Sequence, residues 1–344
     1  MESKGEYTTK SYNLKTLFVI LVAAAMMNKA TEANKDCDEL EICQECTQLN
    51  ACRWCASWNK CVSDEWYSCF LGTKVSNPNN CPLAVHKGDA YSDEFARTKM
   101  LAISAAAYWE APQACLTNQV DSTAKVITLI NPDSFIILQV IRQVTCPCDA
   151  SNTTFCSAFT ALSPENNAII LGFRCVSKYF FDAFNSVWSN GILESFFELT
   201  TANPDYELWI SGHSLGAAMA SIASNVIAVQ HLHQPESIKL VTFGQPRVGD
   251  QQYVDVHDEM ILYSYRVVHA RDLVAHLPPL DYRDYRHHRY QVWYDNDMAP
   301  GKPYKVCLAP DYGCSDSKLL DDSLEDHLYY FQKEVGQWGR NGCQ

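Results

Sequence analysis

Positive charge is scarce in this chain. Lys and Arg number 27 against 40 Asp and Glu, a net charge of −13, and so acidic a surface is repelled by nucleic acid and by anionic membranes across the Debye length. Long apolar runs are missing as well. The stretch Leu17-Phe18-Val19-Ile20-Leu21-Val22-Ala23-Ala24-Ala25-Met26-Met27 follows Lys10 and Lys15 and is too short to span a bilayer comfortably. It reads as the apolar region of a signal peptide cleaved near Ala30 or Ala33, with a signal anchor as the alternative because the preceding polar region is long. No later segment is apolar for long enough to cross a membrane. Histidine does not occur before His86, and no internal repeat is apparent.

What is present is a chain of 344 residues, 47% apolar, long enough for one sizeable core and a small extra module. Sixteen cysteines behind an entry signal imply an oxidising destination, secreted and extracellular, and disulfides. Eight crowd the first module: Cys37, Cys43, Cys46, Cys52, Cys55, Cys61, Cys69 and Cys81. Cys43-x-x-Cys46 and Cys52-x-x-Cys55 have zinc-ligand spacing, but secretion and the lack of nearby histidine favour bridges over metal. Their connectivity does not follow from spacing. The sequon Asn152-Thr153-Thr154 agrees with secretion and makes Asn152 a candidate glycosylation site.

The organisation expected is a signal peptide over residues 1–33, a cysteine-rich module over 34–82, a polar linker over 83–93 and a larger domain over 94–344. The module has few aliphatic residues and depends on its bridges to fold. From residue 95 onward helices and strands alternate, the pattern of an α/β domain with a mainly parallel sheet. Helices are expected over 95–109, 179–200 and 326–335. Strands are expected over 168–174, 207–210, 237–243, 262–269 and 289–294. Residues 126–130 and 135–141 read as a β-hairpin about Asn131-Pro132-Asp133-Ser134.

The chemistry concentrates at Gly212-His213-Ser214-Leu215-Gly216, which an apolar strand enters and a small-residue helix leaves. This is a nucleophile elbow: the glycines let a tight turn close, and the turn lifts the Ser214 hydroxyl out of the sheet. It also places the Leu215 N–H at a helix N-terminus, where it can hold the anion formed in acyl transfer. A serine nucleophile needs a base, and the base a carboxylate. Asp272 follows the strand ending Val267-Val268-His269, beside the elbow; Asp281 and Asp284 lie in a polar run and read as solvated. His327, at the start of the last helix, can fold back over the sheet, while His276, His287 and His288 lie nearer Asp272 in sequence. Spacing alone leaves the choice of histidine open. Such chemistry needs no metal and no cofactor.

Gly212 to Ala218, then Phe243-Gly244-Gln245-Pro246-Arg247-Val248-Gly249-Asp250, then Arg271-Asp272-Leu273-Val274-Ala275-His276-Leu277-Pro278-Pro279, then Asp326-His327-Leu328-Tyr329-Tyr330-Phe331 together resemble the class 3 (fungal-type) triacylglycerol lipases over residues 95–343. The resemblance implies an α/β-hydrolase fold and a catalytic set of Ser214, Asp272 and His327. It implies an ester substrate, foremost a neutral acylglycerol, with peripheral contact at a lipid interface. It further implies disulfides Cys307–Cys314 and Cys115–Cys343. Ala275 stands where the family usually has proline, which is expected to loosen that loop. The cysteine pattern of the first module, with Cys52-Arg53-Trp54-Cys55, Trp58 and Cys61, resembles a plexin-semaphorin-integrin (PSI) module, whose role is to orient a neighbour or to present a surface to a partner not identified by sequence.

The departures from the family fall on the chemistry. Where the lipases end a strand in Phe-Arg-Gly followed by a hydroxyl residue, this chain has Phe173-Arg174-Cys175-Val176. The Val176 N–H is thus the candidate second oxyanion donor. About two dozen residues, including the lid, are absent relative to the family before a helix that begins at Ser177-Lys178-Tyr179. Residues 126–139 read as an insertion of the kind a retained intron encodes. With Cys148 matched to Cys156, Cys146 and Cys175 remain, either to bridge each other or with Cys175 a by-product of the junction. These departures support a second reading, a catalytically weak lipase-like binding protein.

Overall fold

The computed structural model describes residues 37–70, 72–81, 90–120, 138–149, 152–175, 180–280, 282–318 and 322–344. The expected signal peptide, most of the expected hairpin over 126–141, Val176 and Asp281 lie outside the described residues. The chain divides into two compact units, Met1–Cys81 and Pro82–Gln344.

In the first unit, strands β1 (Cys52–Cys55), β2 (Lys60–Ser63) and β3 (Lys74–Val75) form an antiparallel sheet in the order β2-β1-β3. All eight cysteines are bonded, as Cys37–Cys52, Cys43–Cys81, Cys46–Cys61 and Cys55–Cys69. None is then left as a thiolate for metal. The sulfurs occupy most of the interior: Cys55, Val62 and Cys69 form a small core that aliphatic side chains could not fill alone.

The second unit is built on an eight-stranded sheet. Its strands are β4 (Gln139–Pro147), β5 (Phe155–Ser163), β6 (Ala168–Arg174), β7 (Glu207–His213), β8 (Ile238–Phe243), β9 (Tyr263–His269), β10 (Tyr290–Tyr294) and β11 (Lys305–Leu308), in the spatial order β11-β10-β9-β8-β7-β6-β5-β4. β6 to β10 run parallel, and β4, β5 and β11 are antiparallel additions at the edges. The unbroken apolar run of β6 reflects burial on both faces: Ile169, Leu171 and Phe173 pack on one side, Ala168 and Ile170 on the other. The helix over 93–106, capped by the Ser92 hydroxyl accepting from the Phe95 N–H at 3.1 Å, covers one face. Helix Leu215–Val229 and the helical segment 180–202 cover the other.

Three expectations change. The helix over 179–200 is interrupted: Asn190 and Gly191 (φ +124°) leave helical geometry where Arg142 packs, and a Cβ on Gly191 would meet that guanidinium at 2.7 Å. The final helix over 326–335 is instead helix Leu324–Leu328, a tight hairpin pairing Tyr329–Tyr330 with Lys333–Glu334, and helix Val335–Arg340. The first helix ends in extended backbone at Tyr329, and Phe331 and Gln332, with φ of 49° and 63°, adopt the left-handed backbone that closes the hairpin. Gln139, Val140 and Ile141, assigned to an earlier hairpin, belong to β4, in which Gln139 and Val140 pair with β5 and Ile141 lies at a break in the register.

Candidate active site

β7 ends at His213 and helix Leu215–Val229 begins one residue later, so Ser214 alone makes the turn, with φ 60° and ψ −129°. This backbone is strained for a non-glycine residue and is stabilised by its surroundings. A Cβ on Gly212 would lie 2.3 Å from the Gly216 carbonyl oxygen, and one on Gly216 2.3 Å from that of Phe173. Both glycines are therefore steric requirements of the elbow. As the first residue of the helix, Leu215 has an N–H with no carbonyl partner inside it.

β9 carries the chain to Asp272, which is fully buried, and helix Leu324–Leu328 brings His327 over it. The Ser214 hydroxyl lies 2.8 Å from His327 Nε2, and His327 Nδ1 lies 2.9 Å from both Asp272 carboxylate oxygens. A carboxylate only accepts, so Nδ1–H donates to Asp272 and Nε2 accepts from Ser214. Asp272 Oδ1 also accepts from the Val274 N–H at 2.8 Å, and Oδ2 from the Tyr330 hydroxyl at 2.5 Å. Burial alone would raise the Asp272 pKa; the bonds and charge of His327 and the bond from Tyr330 outweigh it, and the carboxyl is held below its ordinary value.

None of the other histidines near Asp272 in sequence bonds its carboxylate, although His276 Nδ1–H donates to the Asp272 backbone carbonyl at 2.8 Å. His276 pairs with Asp316 and Ser315, His287 donates from Nε2 to the Ala275 carbonyl, and His288 meets Gln245 and Ser264. Asp284 is exposed and pairs with Arg286. Ala275 is buried, and its N–H, which a proline would lack, lies 3.4 Å from Asp272 Oδ1. Sequence reading missed Tyr330, His213 and Gly244, although each lies within a quoted motif; the Tyr330 signal was its place three residues after His327.

The remaining cysteines are bonded as Cys307–Cys314, Cys115–Cys343 and Cys148–Cys156. Cys146 and Cys175 do not bridge each other: Cys175 turns into the buried core, its sulfur 2.8 Å from that of Cys156. Asn152 is exposed, between β4 and β5. An apolar cavity of about 480 Å³ lies between Phe180, Ile222, Val226, Val248, Tyr253 and Tyr285. Its first lining residue on helix Leu215–Val229, Ile222, is about 12 Å along the axis from Ser214, and neither Ser214, Asp272 nor His327 lines it.

Residues 144–282 match the lipase (class 3) family, a stretch that includes Ser214 and Asp272 and stops short of His327. Lipase ZK262.3 of Caenorhabditis elegans is 28% identical over 301 residues, 74% of this chain and 84% of that protein. The lipase of Rhizomucor miehei is 31% identical over 169 residues, 47% of this chain and 44% of the relative. Secreted mono- and diacylglycerol lipase 1 of Fusarium solani is 34% identical over 121 residues, 35% of this chain and 32% of the relative. The chain thus spans less than half the length of these fungal relatives. The crystal structure of a lipase from Rhizopus microsporus var. chinensis shares the fold, with a TM-score of 0.56 and 22% identity over 75% of this chain and 94% of that one. The family match takes in both the elbow and the strand that delivers Asp272, so it is the part of the chain around these residues that is similar to the class 3 lipases.

Proposed function

We infer that this chain hydrolyses esters in the manner of the lipases it is similar to. We propose that this chain is a secreted serine hydrolase of acylglycerol esters in lipid metabolism, with Ser214 as nucleophile, His327 as base and Asp272 as the acid that orients it. The observation that carries the reading is the pair of bonds joining Ser214 to His327 and His327 to Asp272. His327 Nε2 takes the Ser214 proton as Oγ attacks the ester carbonyl, then returns it to the departing alkoxide; water repeats the cycle on the acyl-enzyme. Asp272 stabilises the imidazolium, and the Leu215 N–H, with Val176 N–H as the second candidate donor, holds the oxyanion. No metal or organic cofactor is required. Leu324 and Leu328, 60% and 44% exposed on the helix that carries His327, support peripheral contact of this element with a neutral lipid surface. An N-terminal signal peptide, glycosylation at Asn152 and a PSI-like role for the first unit complete the proposal.

One observation favours a weaker enzyme that binds lipid without efficient turnover. β6 ends at Arg174, and helix Phe180–Val187 begins with only residues 175–179 between them. Oxidised, purified protein should hydrolyse both a soluble short-chain ester and emulsified triglyceride. Binding of emulsion without turnover of either would favour the second reading.

A further inference from the structure

His213 precedes the nucleophile in sequence and bonds to the backbone of the base in space. It ends β7, is buried, and has its Nε2 2.7 Å from the His327 carbonyl oxygen. A carbonyl only accepts, so Nε2 carries the proton and donates. Nδ1 is then the acceptor, and the Tyr108 hydroxyl, 2.8 Å away, donates to it. Burial, reinforced by the neighbouring His327, pushes the His213 pKa down to about 3 and keeps the ring neutral. Burial of its hydroxyl raises the Tyr108 pKa and keeps the phenol a donor. One tautomer of His213 satisfies both bonds. Its ring also stacks on that of His327, with centroids 4.7 Å apart and planes 26° from parallel.

The segment that carries His327 is tied to the end of β9 through its neighbours, Ser323 bonding the backbone of Arg271 and Leu273, and Asp326 bonding His269 and the Arg271 N–H. Helix Leu324–Leu328 has five residues, too few to be stable alone, and a tight hairpin follows at once. Those ties reach Ser323 and Asp326, whereas the His327 carbonyl itself takes the His213 Nε2–H. We propose that His213 is the positioning residue that sets the distance from nucleophile to base: it fixes the His327 backbone through its Nε2–H, aligns the ring by stacking, and has its tautomer set by Tyr108. The inference rests on the triad reading and adds to it a residue that touches no reacting atom.

A histidine that merely filled space would be replaceable by any ring of similar size, whereas the brace requires a donor at the Nε2 position. His213→Phe keeps a ring without the donor; His213→Gln keeps a donor at similar reach without the ring; Tyr108→Phe leaves His213 in place and removes the bond that sets its tautomer. Folding of each is checked by thermal unfolding, and kcat and KM are measured on a soluble ester. His213→Phe should lose about a hundredfold in kcat with KM within about twofold, the size of effect that misplacement of about 1 Å produces. His213→Gln should recover to within about tenfold of the parent. Tyr108→Phe should lose about fivefold in kcat. Wild-type kcat in folded His213→Phe, or a His213→Gln no better than His213→Phe, would overturn the proposal. If neither histidine variant folds, unchanged kcat in Tyr108→Phe would overturn it. Undiminished turnover by Ser214→Ala would remove the triad reading itself and is told apart by that result.

Discussion

A methyl group on Gly244 would sit 2.6 Å from Asp272 Oδ2 and 2.8 Å from His327 Nδ1, at a φ of +58° that already disfavours a side chain. The backbone after β8 therefore passes as near the acid–base pair as atoms allow. Gly244→Ala should fold yet lose about a hundredfold in kcat with KM little changed, because the pair must separate or tilt. Steady-state kinetics on a soluble ester test this, and a wild-type kcat would show that the pair tolerates displacement. Ser214 and Asp272 were legible in the sequence because their types and places are restricted, a serine between glycines and an acid at a strand end, whereas spacing left the histidine open and the resemblance singled out His327. The residues that support them were not. Gly244, Tyr330 and His213 act through contacts that only the folded chain creates, and nothing in their own spacing marks a bond to Asp272 or His327.

The element that delivers His327 depends on its turn. Phe331 and Gln332 adopt left-handed backbone, and Gln332 is exposed, so its side chain offsets little of the strain. Gln332→Gly should raise stability by about 1 kcal/mol, read from chemical denaturation, without loss of kcat; destabilisation would mean that the glutamine makes a contact worth more than the strain. Strands β6 to β10 were readable as buried apolar runs. β5 was not, because Phe-Cys-Ser-Ala-Phe-Thr-Ala-Leu-Ser mixes small and polar residues, and its burial comes from neighbours on both sides. The break at Asn190 and Gly191 was likewise hidden within a helical pattern, since its cause is the approach of Arg142 from β4.

Across the whole molecule, burial keeps several histidines neutral. His213 and His257 have pKa values pushed down to about 3 by desolvation, and His287 and His288 are also held well below the ordinary value by burial. Around His257 the bonds fix the neutral state: His288 Nδ1–H donates to Ser264, Ser264 donates to His257 Nε2, and His257 Nδ1–H donates to Asn225. A lowered folded pKa means that the stability is fully present above about 6.5 and is lost as pH falls from there toward about 3, by about 1.4 kcal/mol per pH unit for each such group. Asp258, raised to about 7 by burial, and Asp311, also raised by burial, work in the opposite sense, but they are two groups against four histidines. The melting temperature should fall steeply between pH 6.5 and pH 4, and a flat profile there would mean that these rings are charged or exposed when folded. The central claim, that Ser214 is the nucleophile of a serine esterase, is tested most directly by treating the full-length, disulfide-intact protein with a serine-directed phosphonate and mapping the adduct by mass spectrometry while following ester turnover. The account predicts one adduct, on Ser214, with activity lost in proportion to labelling, and a Ser214→Ala variant that is unlabelled and reduced in kcat on the order of 10⁴- to 10⁶-fold. Turnover by folded protein whose Ser214 stays unmodified, or undiminished turnover by Ser214→Ala, would contradict it.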